Sequence, residues 1–169
     1  KYAFDILESY GIKAATSICS SFFLKEEMFW RFKLSYIAST DGLKVLRTRL
    51  KDYGYSIKNN VKNFSMNSFS KDLLDVIDKT YDEFSPEHFR KDAFRIFDDV
   101  QGINFLIKNK WTIANHSASH YPVTEQSANS LMFEEFNKCE DEIQKYFGIS
   151  TRFWVAPFDR PNFRAENLF

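Results

Sequence analysis

At 169 residues the chain fits one domain and is long enough to bury a substantial core. Its 23 basic and 23 acidic residues cancel, which excludes the basic footprint of a nucleic-acid binder, and an aromatic share of 18%, dominated by 19 Phe, belongs to a well-packed interior. Cys19 and Cys139 are too few and too far apart for a disulfide framework or a cysteine-rich zinc site, and no apolar run approaches the ~18 residues of a membrane span.

Phe4, Ile6, Leu7 and Tyr10 fall at mostly helical spacing and Gly11 follows as a stop, which predicts a helix over residues 2–10. Ile12 to Cys19 is short, small and β-branched, the composition of a buried parallel strand. From Phe22 to about Phe94 aromatic and amphipathic segments take over, among them Glu27 to Ile37 and Lys71 to Ile77, so residues 22–94 read as a helical insertion. Its middle, Tyr53 to Ser70, is rich in Asn, Ser and Lys and reads as loop. The aromatic stretch at 28–36 offers flat faces for sugar stacking, although core packing accounts for it more simply.

Ser85-Pro86-Glu87-His88 has the form of a helix start, with Ser85 as cap and Pro86 in first position, which makes His88 a surface residue. Asp98-Asp99 reads as the solvated start of a helix over about Val100 to Lys108, and a strand then ends at Asn115. A helix from Thr124 or Ser127 through Tyr146, stopped by Gly148, leads to a last strand, Thr151 to Ala156, closed by Pro157. Helix and strand alternate outside the insertion, which favours a parallel α/β layer structure or barrel.

Two of the three histidines, His116 and His120, stand four apart directly after the strand-like run Trp111-Thr112-Ile113-Ala114. On a helical turn such residues share one face, about 5 to 6 Å apart, so both imidazoles can close on one cation. Pairs at this spacing also cap helices or hydrogen-bond within a core, and spacing alone leaves both readings open. The neighbouring Asn115, Ser117, Ser119 and Pro122 suggest a loop at the C-terminal end of a strand, where parallel α/β proteins place ligands. Ser117 stands where the zincin helix motif needs glutamate, which excludes that motif.

In this order the elements resemble a polysaccharide deacetylase domain of the NodB homology type (carbohydrate esterase family 4). The likeness is carried by Leu7 to Thr16, by Lys110 to His120 with its Asn-His-Ser-x-x-His core, and by Arg152 to Phe158, a strand ending in Pro and an aromatic residue. It implies a single, partial domain over residues 1–169, folded as a distorted (β/α)7 barrel with the helical insertion. It also implies a divalent metal, commonly zinc, held by His116 and His120, and an acetylated carbohydrate substrate that loses an N- or O-acetyl group by hydrolysis. The main-chain N–H of Phe158 would help hold the oxyanion. Family resemblance places such proteins at the cell envelope or outside the cell, with a cytoplasmic location still open.

The family's Asp-Asp pair, which supplies a third metal ligand and the general base, precedes the first helix and is not among these residues. Asp98-Asp99 imitates it but precedes the wrong helix. The histidine of the family's last motif is also not among them, so little deacetylase activity is expected of this polypeptide alone. Val155 replaces an arginine common two places before the proline, and Arg152 lies too early to substitute for it. Two other readings stay open: a non-catalytic carbohydrate-binding or structural module, and an amidohydrolase acting on a non-sugar C–N bond.

Overall fold

Helices claim most of the described residues, the longer ones where apolar residues recur at three- and four-residue intervals. The structure, a computed structural model, describes residues 2–55, 69–122 and 131–158. In chain order the elements are α1 (Tyr2–Ser9), β1 (Ala15–Ile18), α2 (Ser20–Phe23), α3 (Trp30–Ala38), α4 (Gly42–Asp52), α5 (Lys71–Phe84), α6 (Glu87–Ala93), a 3-10 turn (Phe94–Ile96), α7 (Val100–Lys108), β2 (Thr112–Asn115) and α8 (Leu131–Phe147). The architecture is mixed and mostly helical, with a two-stranded parallel sheet. None of the described helices is long and apolar enough to cross a membrane.

The chain divides into two compact units, Lys1–Glu27 with Phe97–Phe169, and Met28–Ile96. In the second, α5 buries Leu73, Val76, Ile77, Thr80 and Tyr81 as one stripe and packs on α3 and α4. Ser70 caps α5 by accepting the N–H of Leu73 at 3.1 Å. Met28, Leu34 and Trp30, at 1% exposure, place part of the aromatic stretch at 28–36 in the core, while Phe29, Phe32 and Tyr36 are half-buried. Ser85 does not cap α6 as expected: its hydroxyl donates to the carbonyl of Tyr81 and closes α5, while extended Pro86 takes the cap position. His88 is exposed on α6, as its position predicted.

In the first unit, β1 and β2 run parallel, with Ala15 opposite Thr112 and Ile18 opposite Asn115. Phe23, Ile103 and Ile113 form one buried cluster, and Ala118, Cys139 and Ile143 form another. Ile18, Phe147 and Ile149 pack against both, so α8 backs the loop that leaves β2. The helix over 100–108 stands where the sequence put it. Asp99, extended at φ −92°, caps it by accepting the N–H of Gly102 at 2.9 Å. Asp99→Ala is expected to lower stability by about 1 kcal/mol, read as a shifted urea midpoint with an unchanged slope.

Two strand expectations need correction. β1 is shorter than Ile12 to Cys19 and is not buried: Ala15 and Ser17 are exposed, with Thr16 and Ile18 half-buried, because its described pairing is with β2 on one edge. The strand expected over 151–156 is reduced to one parallel bridge, Asn115 with Trp154. Its first residue is diverted, since the N–H of Thr151 donates to Glu140 at 2.8 Å rather than to a neighbouring strand. Pro157 then has no N–H for a further rung. The proposed helix start at Thr124 or Ser127, and residues 56–68 of the predicted loop, lie outside the described residues; α8 runs to Phe147 and Gly148 follows at φ +66°.

Candidate functional site

The end of β2 is organised by one fully buried side chain. Asn115 is 0% exposed, and its Oδ1 accepts the N–H of Ser117 at 2.9 Å, which turns the chain off the strand. Its Nδ2 donates to the carbonyl of Phe136 at 3.0 Å and to Glu140 at 3.3 Å, both on α8. Main-chain bonds from Asn115 N–H to Phe153 O and from Val155 N–H to Asn115 O, each 2.9 Å, bring the segment before Pro157 alongside. A buried amide with this many partners fixes where the next five residues go.

Those residues do not form the helical turn that the four-residue spacing suggested. Ser117 and His120 both adopt left-handed backbone, at φ +66° and +57°, and the hydroxyl of Ser117 accepts the N–H of His120 at 3.1 Å. The loop nevertheless brings the imidazoles together: their centroids lie 4.4 Å apart with the rings perpendicular. Phe158, itself at φ +55°, meets His120 edge to face at 4.7 Å. His116 Nδ1 lies 2.7 Å from the carbonyl oxygen of Val155. A carbonyl has no hydrogen to give, so in the neutral ring Nδ1 is the donor and Nε2 keeps its lone pair.

That donor chemistry fits a cation. Metal-ligating histidines engage their second ring nitrogen with a carbonyl or carboxylate in this way, which fixes tautomer and ring orientation. The pair supplies two donors; among the described residues no cluster of three or more His, Cys, Asp or Glu is placed to hold a metal. The thiols play a different part. Cys19 Sγ donates to the carbonyl of His116 at 3.1 Å and Cys139 Sγ to that of Ile18 at 3.5 Å. Burial pushes the Cys19 thiol well up and that of Cys139 up to about 11, so both remain neutral donors and poor nucleophiles.

Acidic groups on α8 brace the loop from behind. The carbonyl of Glu135 accepts the N–H of Ala118 at 3.0 Å and its carboxylate accepts that of Ser119 at 2.6 Å. Burial raises the Glu135 carboxyl to about 7, and the nearby charge of Glu27 adds to the rise, against the Ser119 N–H and Lys138. Tyr121 donates to both oxygens of Glu27, at 2.9 and 3.1 Å, and burial pushes its phenol well up. Ser21, on α2, meets Ser119 hydroxyl to hydroxyl at 3.2 Å and donates its N–H to Ala118 O at 3.1 Å.

Of the residues singled out from sequence, His116, His120 and Phe158 meet in one place, and Asp99 of the imitation pair is occupied as a helix cap. Arg152 is exposed and Val155 enters through its main chain. Sequence reading missed Glu135, Glu140 and Thr151. A usable signal existed, since Glu135 and Glu140 flank Cys139 on the apolar side of a helix, where unpaired carboxylates are rare.

Residues 100–168 match the model of the polysaccharide deacetylase family. The matched stretch contains the second and third motif-like segments read from the sequence and excludes the first, Leu7 to Thr16. No curated protein and no solved structure matches the chain. The resemblance is thus shown over that stretch, and it supports a deacetylase-like hydrolase function directed at carbohydrate.

Proposed function

We propose that residues 100–168 carry the metal-binding part of a carbohydrate deacetylase that removes N- or O-linked acetyl groups, set within a distorted (β/α)7 barrel into which residues 22–94 are inserted. The family match over this stretch is the premise. The observation that carries the reading is the perpendicular imidazole pair inside it, with His116 already oriented by the Val155 carbonyl.

His116 and His120 would hold a divalent cation, zinc being the metal such imidazole sites commonly take. When bound, such a cation supplies Lewis acidity that polarises an acetyl carbonyl and lowers the pKa of water towards 7. His116 contributes Nε2 because its other nitrogen donates to Val155 O. Phe158 contributes its main-chain N–H to the oxyanion that develops as the carbonyl is attacked, and its ring packs on His120. Asn115, Glu135 and Ser21 keep the loop from relaxing out of its two left-handed positions.

Saturation transfer from the protein to the acetyl methyls of an N-acetylated chito-oligosaccharide tests this reading. With zinc present the transfer should be strong, and His116→Ala should weaken zinc binding by more than about tenfold and abolish the zinc-dependent part. Transfer that is equal without zinc and survives the substitution would identify a sugar-binding module without the reaction. No transfer from the zinc-treated chain would remove the carbohydrate reading altogether.

A further inference from the structure

Glu140, which belongs to none of the motif-like segments, ties two parts of the site's scaffold together. Its Oε1 accepts the N–H of Thr151 at 2.8 Å; its Oε2 accepts the Thr151 hydroxyl at 2.6 Å and Asn115 Nδ2 at 3.3 Å. Asn115 in turn pairs through its main chain with Phe153 and Val155. The result is a closed loop of contacts, from α8 to Thr151, along the chain to Val155, across to Asn115 and back to α8. The Val155 carbonyl that faces His116 is a member of that loop.

We propose that Glu140 is a positioning residue: by fastening Thr151 and Asn115 to one carboxylate, it holds the Val155 carbonyl where it fixes His116 as the Nδ1–H tautomer. Imidazole in water favours the opposite, Nε2–H form, so Nδ1–H persists only while an acceptor stays in place. With Nδ1 protonated, Nε2 is the nitrogen free to act as ligand or base. Three donors converge on the two oxygens of Glu140, a demand that only a carboxylate meets. In Glu140→Gln one oxygen remains as acceptor and the new NH2 faces a donor, so the Asn115 or the Thr151 link must break.

The tautomer claim stands on the protein's own hydrogen bonds, and only its metal readout rests on the function proposed above. Two-bond proton–nitrogen correlation spectra of the imidazoles, taken on the metal-free full chain at a pH where the rings are neutral, read the tautomer directly. The wild-type protein should show His116 with protonated Nδ1 and bare Nε2. Glu140→Gln should move both shifts towards a tautomer mixture and loosen zinc, used alone as the probe in calorimetry, by roughly tenfold. Thr151→Val, which removes only the hydroxyl bond, should shift the nitrogens the same way by less, and it decides the matter if the first variant does not fold.

A wild-type Nε2–H tautomer would overturn the proposal. So would His116 shifts unchanged in a folded Glu140→Gln, even with a lowered melting temperature, since Glu140 would then brace the fold without reaching the ring. If the nitrogens shift as expected while the wild-type chain binds no zinc, the positioning role holds and the metal-dependent reading falls.

Discussion

Asn115→Ala is expected to destabilise the first unit by roughly 3 to 5 kcal/mol and to remove with it the zinc binding proposed above. Alanine strips an acceptor from the Ser117 N–H and a donor from both Phe136 O and Glu140. The amide is 0% exposed, and each buried group left without its partner costs about 1 to 3 kcal/mol. Ser117 sits at φ +66°, a conformation that costs a non-glycine residue about 1 to 2 kcal/mol, and the Asn115 oxygen is one of the bonds that hold it there.

Asn115→Asp separates the two halves of the amide's role. The aspartate keeps an oxygen for Ser117 but replaces a donor with a charge facing the Glu140 carboxylate, so at neutral pH it should keep the turn at Ser117 and still be less stable than wild type. Urea unfolding of the two variants beside wild type, followed by a zinc titration of each, gives both quantities. Loss of less than about 1 kcal/mol in the alanine variant would mean that water replaces the amide and that the loop is held from elsewhere.

The contrast between Asn115 and its partners shows what the sequence made legible. The end of β2, the helix over 100–108 and the proximity of His116 to His120 follow from local signals: a β-branched run, apolar spacing with an aspartate cap, and an interval of four. The interval gave the right neighbours for the wrong local reason. Asn115 draws the N–H of Ser117 into a turn, and Ser117 draws that of His120, so two side chains compete successfully with helical hydrogen bonding. The strand expected at 151–156 fails for a related cause, since a carboxylate over ten residues upstream captures the N–H of Thr151. Competition of this kind is settled by tertiary neighbours, which a local pattern does not encode. The partners on α8 were only half legible for the same reason: carboxylates beside Cys139 mark Glu135 and Glu140 as unusual, but nothing near them in sequence names the main-chain N–H that each meets.

Glu135 supplies the other large effect, which appears as a pH dependence of opposite sign to that of most carboxylates. Its carboxyl is raised to about 7 in the fold, first by burial and then by Glu27, with the Ser119 N–H and Lys138 pulling the other way. Unfolded, the same group titrates near 4.3. Between those values the native chain holds a proton that the unfolded chain has released, so the contribution is fully present below the unfolded pKa and is lost as pH rises through the window. The total is on the order of 3 kcal/mol, and the curve should level off above the folded pKa.

Glu135→Gln keeps an oxygen for Ser119 and cannot ionise, so its stability should lack this decline and equal or exceed that of wild type at neutral pH. The difference between the two urea midpoint curves isolates the group, because Glu87, held below the usual range by Lys91, and the other acids are common to both. A level difference across the window would mean that Glu135 is ionised throughout in the fold, with Ser119 and Lys138 offsetting its burial. The loop carrying His116 and His120 would then be braced by a charge rather than by a proton.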